Sequence, residues 1–286
     1  MIKASEEGCE NMDYSFNSGV SPFIKWLGGK RWLTPVLERE LDGIKVRRYI
    51  EPFLGGAATY FHFRFRPAML SDINKDLINT YVQVRDNVTE VLRRLKPIII
   101  DSNHYYEMRD SNPGDGIDRA VRFLYLNRTA FGGIYRVNAD GRFNVPFGNY
   151  ARGTEILWRE SLLVKASEAL QGTNILSADF EEPLKKAGRG DLIYCDPTYT
   201  TMHNNNGFRK YNEKSFSWSD QIRLSEACHK ASSRGAMVIV SNACHEEIAE
   251  LYCGFDTLTM KRNSVLCPQP SKRKPIEESL FVSIPK

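Results

Sequence analysis

Residues 191–200 read DLIYCDPTYT, and the fold follows from how that stretch is taken. Leu192, Ile193, Tyr194 and Cys195 make a short unbroken apolar run, the pattern of a strand buried on both faces. Pro197 ends it, because proline has no N–H for the next rung of a sheet ladder. The acid Asp196 and the aromatic Tyr199 thereby arrive at the carboxyl end of a strand, the edge at which open α/β sheets bind ligands. There the Asp196 carboxylate and the carbonyl of Pro197 can accept the protons of an exocyclic base amine, while Tyr199 offers a face for the base to stack on. Such a cradle exposes the lone pair of a nitrogen that conjugation with its ring makes a poor nucleophile. The same residues also describe a buried strand, a proline turn and a solvated acid. Taken alone they do not choose.

Upstream, the texture changes at Pro22. The segment SPFIKWLGGK is extended and then turns at Gly28-Gly29, and Leu33, Val36, Leu37 and Leu41 follow at helical spacing, with Lys30 at the first turn. The Gly-Gly-Lys turn lacks the full phosphate-loop pattern. Next, RYIEPFLGGAA reads as a strand, a Gly-Gly turn and a helix through Phe63, and Met69-Leu70-Ser71 as a second strand ending at Asp72. Asp72 lies 17 residues after Gly55, close to the spacing of about 20 at which a second-strand acid bonds a ribose. An ordinary βαβ unit has the same outline.

Residues 75–130 read mainly as helices. Over 131–150, FGGIYRVNADGRFNVPFGNY, Asp140-Gly141 between alternating residues signals a hairpin. It carries Arg136, Asn138, Arg142, Asn144 and Asn149. Arg and Asn are the side chains that read guanine and adenine edges in the major groove. A plain amphipathic surface hairpin is the other possibility.

Downstream, Trp158–Leu170 is helical, Asn174–Ala178 is a strand ending at Asp179, and 201–217 is an Asn-rich loop placed to act as a flap over Asp196. Ser219 is the expected N-cap of the next helix. Met237–Val240, Phe255–Met260 and Leu280–Ile284 read as strands, and 261–278 as a basic, proline-rich loop, disordered or tracking DNA. Residues 1–20 have no periodicity and read as a disordered extension.

With 42% hydrophobic and 26% charged residues the composition is that of a globular protein. A formal charge of +4 permits nucleic acid as a partner without requiring it, so local clusters such as Lys45, Arg47 and Arg48 matter more. The six cysteines form no CxxC pair, which argues for reduced thiols in a cytoplasmic protein and against a zinc ribbon. No apolar run approaches the roughly 18 residues of a membrane span.

The ordered set SPFIKWLGGK, YIEPFLGGAA, SDIN, NRTAFGGIYRVNADGRFNVPFGNY, YCDPTY and IVSN resembles the Dam-type DNA adenine-N6 methyltransferases over roughly residues 21–286. The resemblance implies an α/β fold: a Rossmann-like methyltransferase sheet that binds S-adenosylmethionine (AdoMet), with an inserted helical and β-hairpin target-recognition region. It divides the chain into a catalytic part, 21–86 and 158–286, and a recognition insert, 87–157. It places the cofactor against Trp26, Lys30, Phe53, Gly55, Asp72, Asp179 and Asp196, and the chemistry at Asp196, Pro197 and Tyr199. Duplex DNA falls to Lys25, Arg128, Arg136, Asn138, Pro146 and Asn149. It implies no metal, no membrane and a monomer. This chain departs from the family at Thr198, where DPPY becomes DPTY, and at Asn149, where GATC-methylating members usually carry Arg. Methylation of RNA or of a protein amide, and a DNA-binding homologue that has lost turnover, are the competing readings; Thr198 alone favours the last.

Overall fold

The computed structural model describes residues 19–138, 140–150, 158–198, 216–263 and 275–285. Its seven-stranded sheet is built from β1 (Arg48–Glu51), β2 (Ala68–Asp72), β3 (Asn174–Ser177), β4 (Asp191–Cys195), β5 (Met237–Ala243), β6 (Asp256–Asn263) and β7 (Pro275–Ser283), in the order β3-β2-β1-β4-β5-β7-β6. β1 to β5 pair in parallel, and β7 runs antiparallel between β5 and β6. This is a Rossmann-like α/β sheet, as expected, and β4, buried along its whole length, is its central strand.

Strand residues alternate between the faces. Tyr49, Leu192, Tyr194, Met237, Ile239, Leu280 and Val282 enter one core, and Ile50, Ile193, Cys195, Val238, Val240 and Phe281 enter the other. Helices α1 (Thr34–Glu40), α2 (Ala58–Phe63), α3 (Lys75–Leu95), α4 (Ser102–Asp110), α5 (Gly116–Thr129) and α6 (Glu160–Leu170) contribute to the first core. The second receives α7 (Glu181–Lys185), α8 (Trp218–Ser233) and α9 (Glu246–Leu251). Covering both faces explains why β4 and β5 are continuous apolar runs.

The strand order reverses between β1 and β4, so the cleft of such a sheet opens at their carboxyl ends. Opposite, at the amino ends, Asp191 accepts ion pairs from Arg47 and Arg48, each at 2.7 Å. The basic cluster is thus anchored on the sheet edge away from the cleft.

The structure corrects the C-terminal loop and the α8 cap. The ladder of β6 and β7 runs through Lys261↔Glu277 and Met260↔Glu278, so the loop expected over 261–278 is strand at both ends. Residues 264–274 lie outside the described residues, as do 1–18 of the expected extension and 201–215 of the expected flap. The cap of α8 is Ser217, not Ser219. Its Oγ accepts from Asp220 N (3.2 Å) while Asp220 Oδ2 accepts from Ser217 N (2.9 Å), a reciprocal pair that needs an acid three residues after the cap. Among the described residues no helix is long and apolar enough to cross a membrane. The thiols of Cys195, Cys228, Cys244 and Cys253 are free.

Candidate active site

Acids gather where the parallel strands end. β1 ends at Glu51, β2 at Asp72, and Asp196 follows the last residue of β4. Because parallel neighbours run in step, Ile50 opposite Ile193 and Glu51 opposite Leu70, these carboxyls come to one edge. Glu51 is buried, and burial pushes its carboxyl well above the usual carboxylate range, although Tyr49 Oη donates to it at 3.0 Å.

Lys30 joins this edge from outside the sheet. It precedes a short 3-10 turn, Arg31–Leu33, and its side chain is 3% exposed. Its Nζ lies 2.7 Å from Glu278 Oε2 and 3.4 Å from Asp196 Oδ1. The N-terminal GGK segment, the DPTY turn and β7 therefore meet at one ammonium. Pro197 is buried and Thr198 exposed; Tyr199 lies outside the described residues.

The glycine turn after β1 is shaped by its neighbours. Gly55 has φ +45°, and a Cβ there would lie 2.7 Å from Cδ1 and 2.8 Å from Nε1 of Trp26, so only glycine fits beneath the indole. Asp72 ties this turn down. Its Oδ2 accepts from Gly55 N (3.1 Å) and its Oδ1 from Asn74 N (2.9 Å). Burial raises the Asp72 carboxyl against the lowering effect of these N–H groups. Each oxygen keeps lone-pair capacity for a further hydroxyl, as ribose recognition requires. Phe53 stacks on Phe180 at 5.5 Å, with Phe216 edge-on to it at 5.5 Å. Beside them Asp179 Oδ1 accepts from Arg223 Nη2 and Glu181 N, each at 3.0 Å, and the Arg223 guanidinium lies over Phe180. Aromatic faces flanked by a carboxylate suit a purine and its amine. Among the described residues no cluster of metal-ligating side chains occurs.

The hairpin follows α5. Val137 and Phe143 form a bridge, as do Ala130 and Phe147, and Asn138 Oδ1 closes the turn by accepting from Asp140 N (3.0 Å) and Arg142 N (2.9 Å). Arg136 is exposed, with Nε donating to Asn144 Oδ1 at 2.8 Å. Pro146 is exposed, and its carbonyl accepts from Phe131 N at 2.9 Å. Asn149 is exposed at φ +56°, a left-handed conformation that Asn tolerates better than most side chains. Lys25 packs across Gly133, where a Cβ would meet its Cδ at 2.3 Å, and its Nζ donates to Tyr150 Oη at 3.4 Å. The hairpin touches the N-terminal GGK segment through Tyr135, which stacks on Trp26 at 5.5 Å.

Arg128 differs from the other residues assigned to DNA. It is buried, its guanidinium donates to the Phe23 carbonyl, and burial pushes it down to about 10. It braces the segment leading to Lys25 and Trp26 and faces inward. Sequence reasoning missed Glu51 and Glu278. The first stood in plain view in EPF at a strand end; the second lay in a stretch whose charge and prolines read as loop.

The D12 class N6 adenine-specific DNA methyltransferase family matches residues 26–266. The Type II methyltransferase M1.LlaDCHI of Lactococcus lactis subsp. cremoris is 34% identical over 274 residues, covering 92% of this chain and 95% of the relative. The Type II methyltransferase M.MjaIII of Methanocaldococcus jannaschii is 32% identical, covering 89% and 96% respectively. A DNA adenine methylase of Vibrio cholerae serotype O1 is 30% identical, covering 92% and 96%. The sheet order, the acids at its carboxyl edge and these matches define a methyltransferase of Rossmann-like fold that acts on DNA. The chain belongs to the D12 class N6 adenine-specific DNA methyltransferases.

Proposed function

We propose that this chain methylates adenine N6 at a specific duplex DNA sequence, using AdoMet and a base flipped out of the helix. The observation that carries this reading is the approach of Lys30 to Asp196, which joins the GGK and DPTY segments at the carboxyl edge of the sheet. Trp26, Lys30, Phe53, Gly55, Asp72 and Asp179 would hold the cofactor. Asp72 fits ribose hydroxyls, and the Phe53–Phe180 stack fits an adenine ring. When bound, AdoMet supplies an electrophilic sulfonium methyl group. The Asp196 carboxylate and Pro197 carbonyl accept hydrogen bonds from the N6–H groups, which localises the lone pair on nitrogen, and Asp196 stabilises the positive charge developing there. Tyr199 stacks on the flipped base. Lys25, Arg136, Asn138, Pro146 and Asn149 face the duplex; Arg136 reads a base edge.

The division into a catalytic part (21–86 and 158–286) and a recognition insert (87–157) is part of this reading. It is supported by the non-helical Asn87 (φ −133°, ψ 31°), which interrupts α3 at that boundary. We further infer that a single chain acts alone, in the cytoplasm. The test is transfer of labelled methyl from AdoMet to plasmid DNA, with the product identified as N6-methyladenine. Label in RNA or protein but not DNA, or no label at all, would refute it.

A further inference from the structure

Glu278 is the least expected member of the strand-end cluster. It sits on β7 opposite Ala243 of β5 and Met260 of β6, and its side chain has no exposed surface. A carboxylate so buried is costly unless paired, and the ammonium of Lys30 at 2.7 Å pairs it. The two distances from that ammonium are unequal. At 2.7 Å from Glu278 the contact is a short charge-assisted bond. At 3.4 Å from Asp196 it lies beyond the usual N–H···O range of about 2.7–3.2 Å.

The inequality has a chemical consequence if Asp196 must accept a hydrogen bond from a substrate amine. An ammonium closed tightly on Asp196 would occupy lone pairs the amine needs and would weaken the carboxylate as an acceptor. An ammonium held slightly back still orients the carboxylate electrostatically. We propose that Glu278 is a positioning residue for methyl transfer: it anchors Lys30 so that the ammonium aims Asp196 without capping it. The inference rests on the reading of Asp196 as the acceptor for N6.

Glu278→Gln keeps the shape and removes the anchor charge. The single-turnover methylation rate should fall at least tenfold, while the AdoMet Kd from calorimetry changes less than threefold. Adding Lys30→Met should then raise the rate at saturating AdoMet, because no ammonium remains to close on Asp196; a purely structural role for Glu278 yields no such recovery. A Glu278→Gln enzyme that matches wild type per folded molecule, or whose whole defect is in the AdoMet Kd, overturns the proposal. So does a double variant no faster than Glu278→Gln. Should Glu278→Gln alone not fold, Glu278→Asp, which keeps the charge but draws the anchor back, is measured in its place, and a single-turnover rate equal to wild type overturns the proposal. Asp196→Ala run in parallel keeps the layers apart. Activity there removes the reading beneath, whereas an inactive Asp196→Ala beside a wild-type Glu278→Gln removes this inference alone.

Discussion

The cluster around Lys30 and the hairpin of residues 131–150 are both polar, and they are built in opposite ways. In the cluster, Lys30, Glu51 and Glu278 are buried, and Lys30 pairs with Glu278 from 248 positions away. In the hairpin, Arg136, Asn138 and Asn144 are exposed and bond only to near neighbours in sequence. Electrostatics act strongly where water is excluded, so groups that shape a reaction gain from burial. Groups that read a partner must remain reachable and need only enough local bonding to limit their rotamers. Arg128 and Arg136 show the contrast within one residue type: one is a brace inside the fold, the other stands at the surface.

Substitutions on both sides test that contrast. Asp196→Asn swaps a charged acceptor for an amide and should slow methyl transfer at least about a hundredfold, roughly 2.7 kcal/mol of barrier, with unchanged melting temperature. A near-normal rate would detach the buried cluster from the chemistry. Asp72→Ala should weaken AdoMet binding by roughly 1.5–3 kcal/mol if its carboxylate accepts ribose hydroxyls. Calorimetry showing an unchanged Kd would place the cofactor elsewhere.

The two arginines form the most direct comparison. Arg128→Ala leaves the Phe23 carbonyl without its donor and should cost about 1–3 kcal/mol of folding stability, with sequence preference intact among folded molecules. Arg136→Ala should leave stability within about 0.5 kcal/mol and cost about 1–3 kcal/mol of discrimination at one base pair. Binding to randomised duplexes at two salt concentrations separates this from a phosphate contact. Uniform weakening with a shallower salt slope would show that Arg136 reads no base.

The smallest effect concerns Glu51. Its folded carboxyl titrates above the ordinary value of 4.5 because burial disfavours the charged form. Its contribution to stability is complete below that ordinary value and is lost as pH rises towards the folded one. Wild type should therefore lose ground to Glu51→Gln in thermal melts as pH rises above the ordinary value of 4.5. A difference independent of pH would mean that burial does not hold the proton on Glu51.

Much of this arrangement was legible because its signals are local. The apolar runs of β1, β2, β4 and β5 needed only a few consecutive residues each, and the acids at their ends came with them. Asn138 and Asp140-Gly141 announced the turn they make. What stayed hidden depends on partners far along the chain. Glu278 is buried because Lys30, 248 positions away, neutralises it, and no window around KPIEES contains that fact. Arg128 sits in NRT, a stretch matched to DNA-binding motifs, and only the carbonyl of Phe23 turns it inward. Ser217 and Ser219 offer the same hydroxyl, and the position of Asp220 decides between them.

The span between Lys30 and Glu278 also sets an order of events as the chain is made. Domains assemble as their residues leave the ribosome, and contacts between remote positions form last because they close the longest loops. Lys30 is made early and its counter-charge 248 residues later. Until β7 pairs with β5, bringing β6 with it, the growing chain lacks the carboxylate that pairs with its ammonium. The Lys30–Glu278 pair is then acquired late, when β7 joins the sheet.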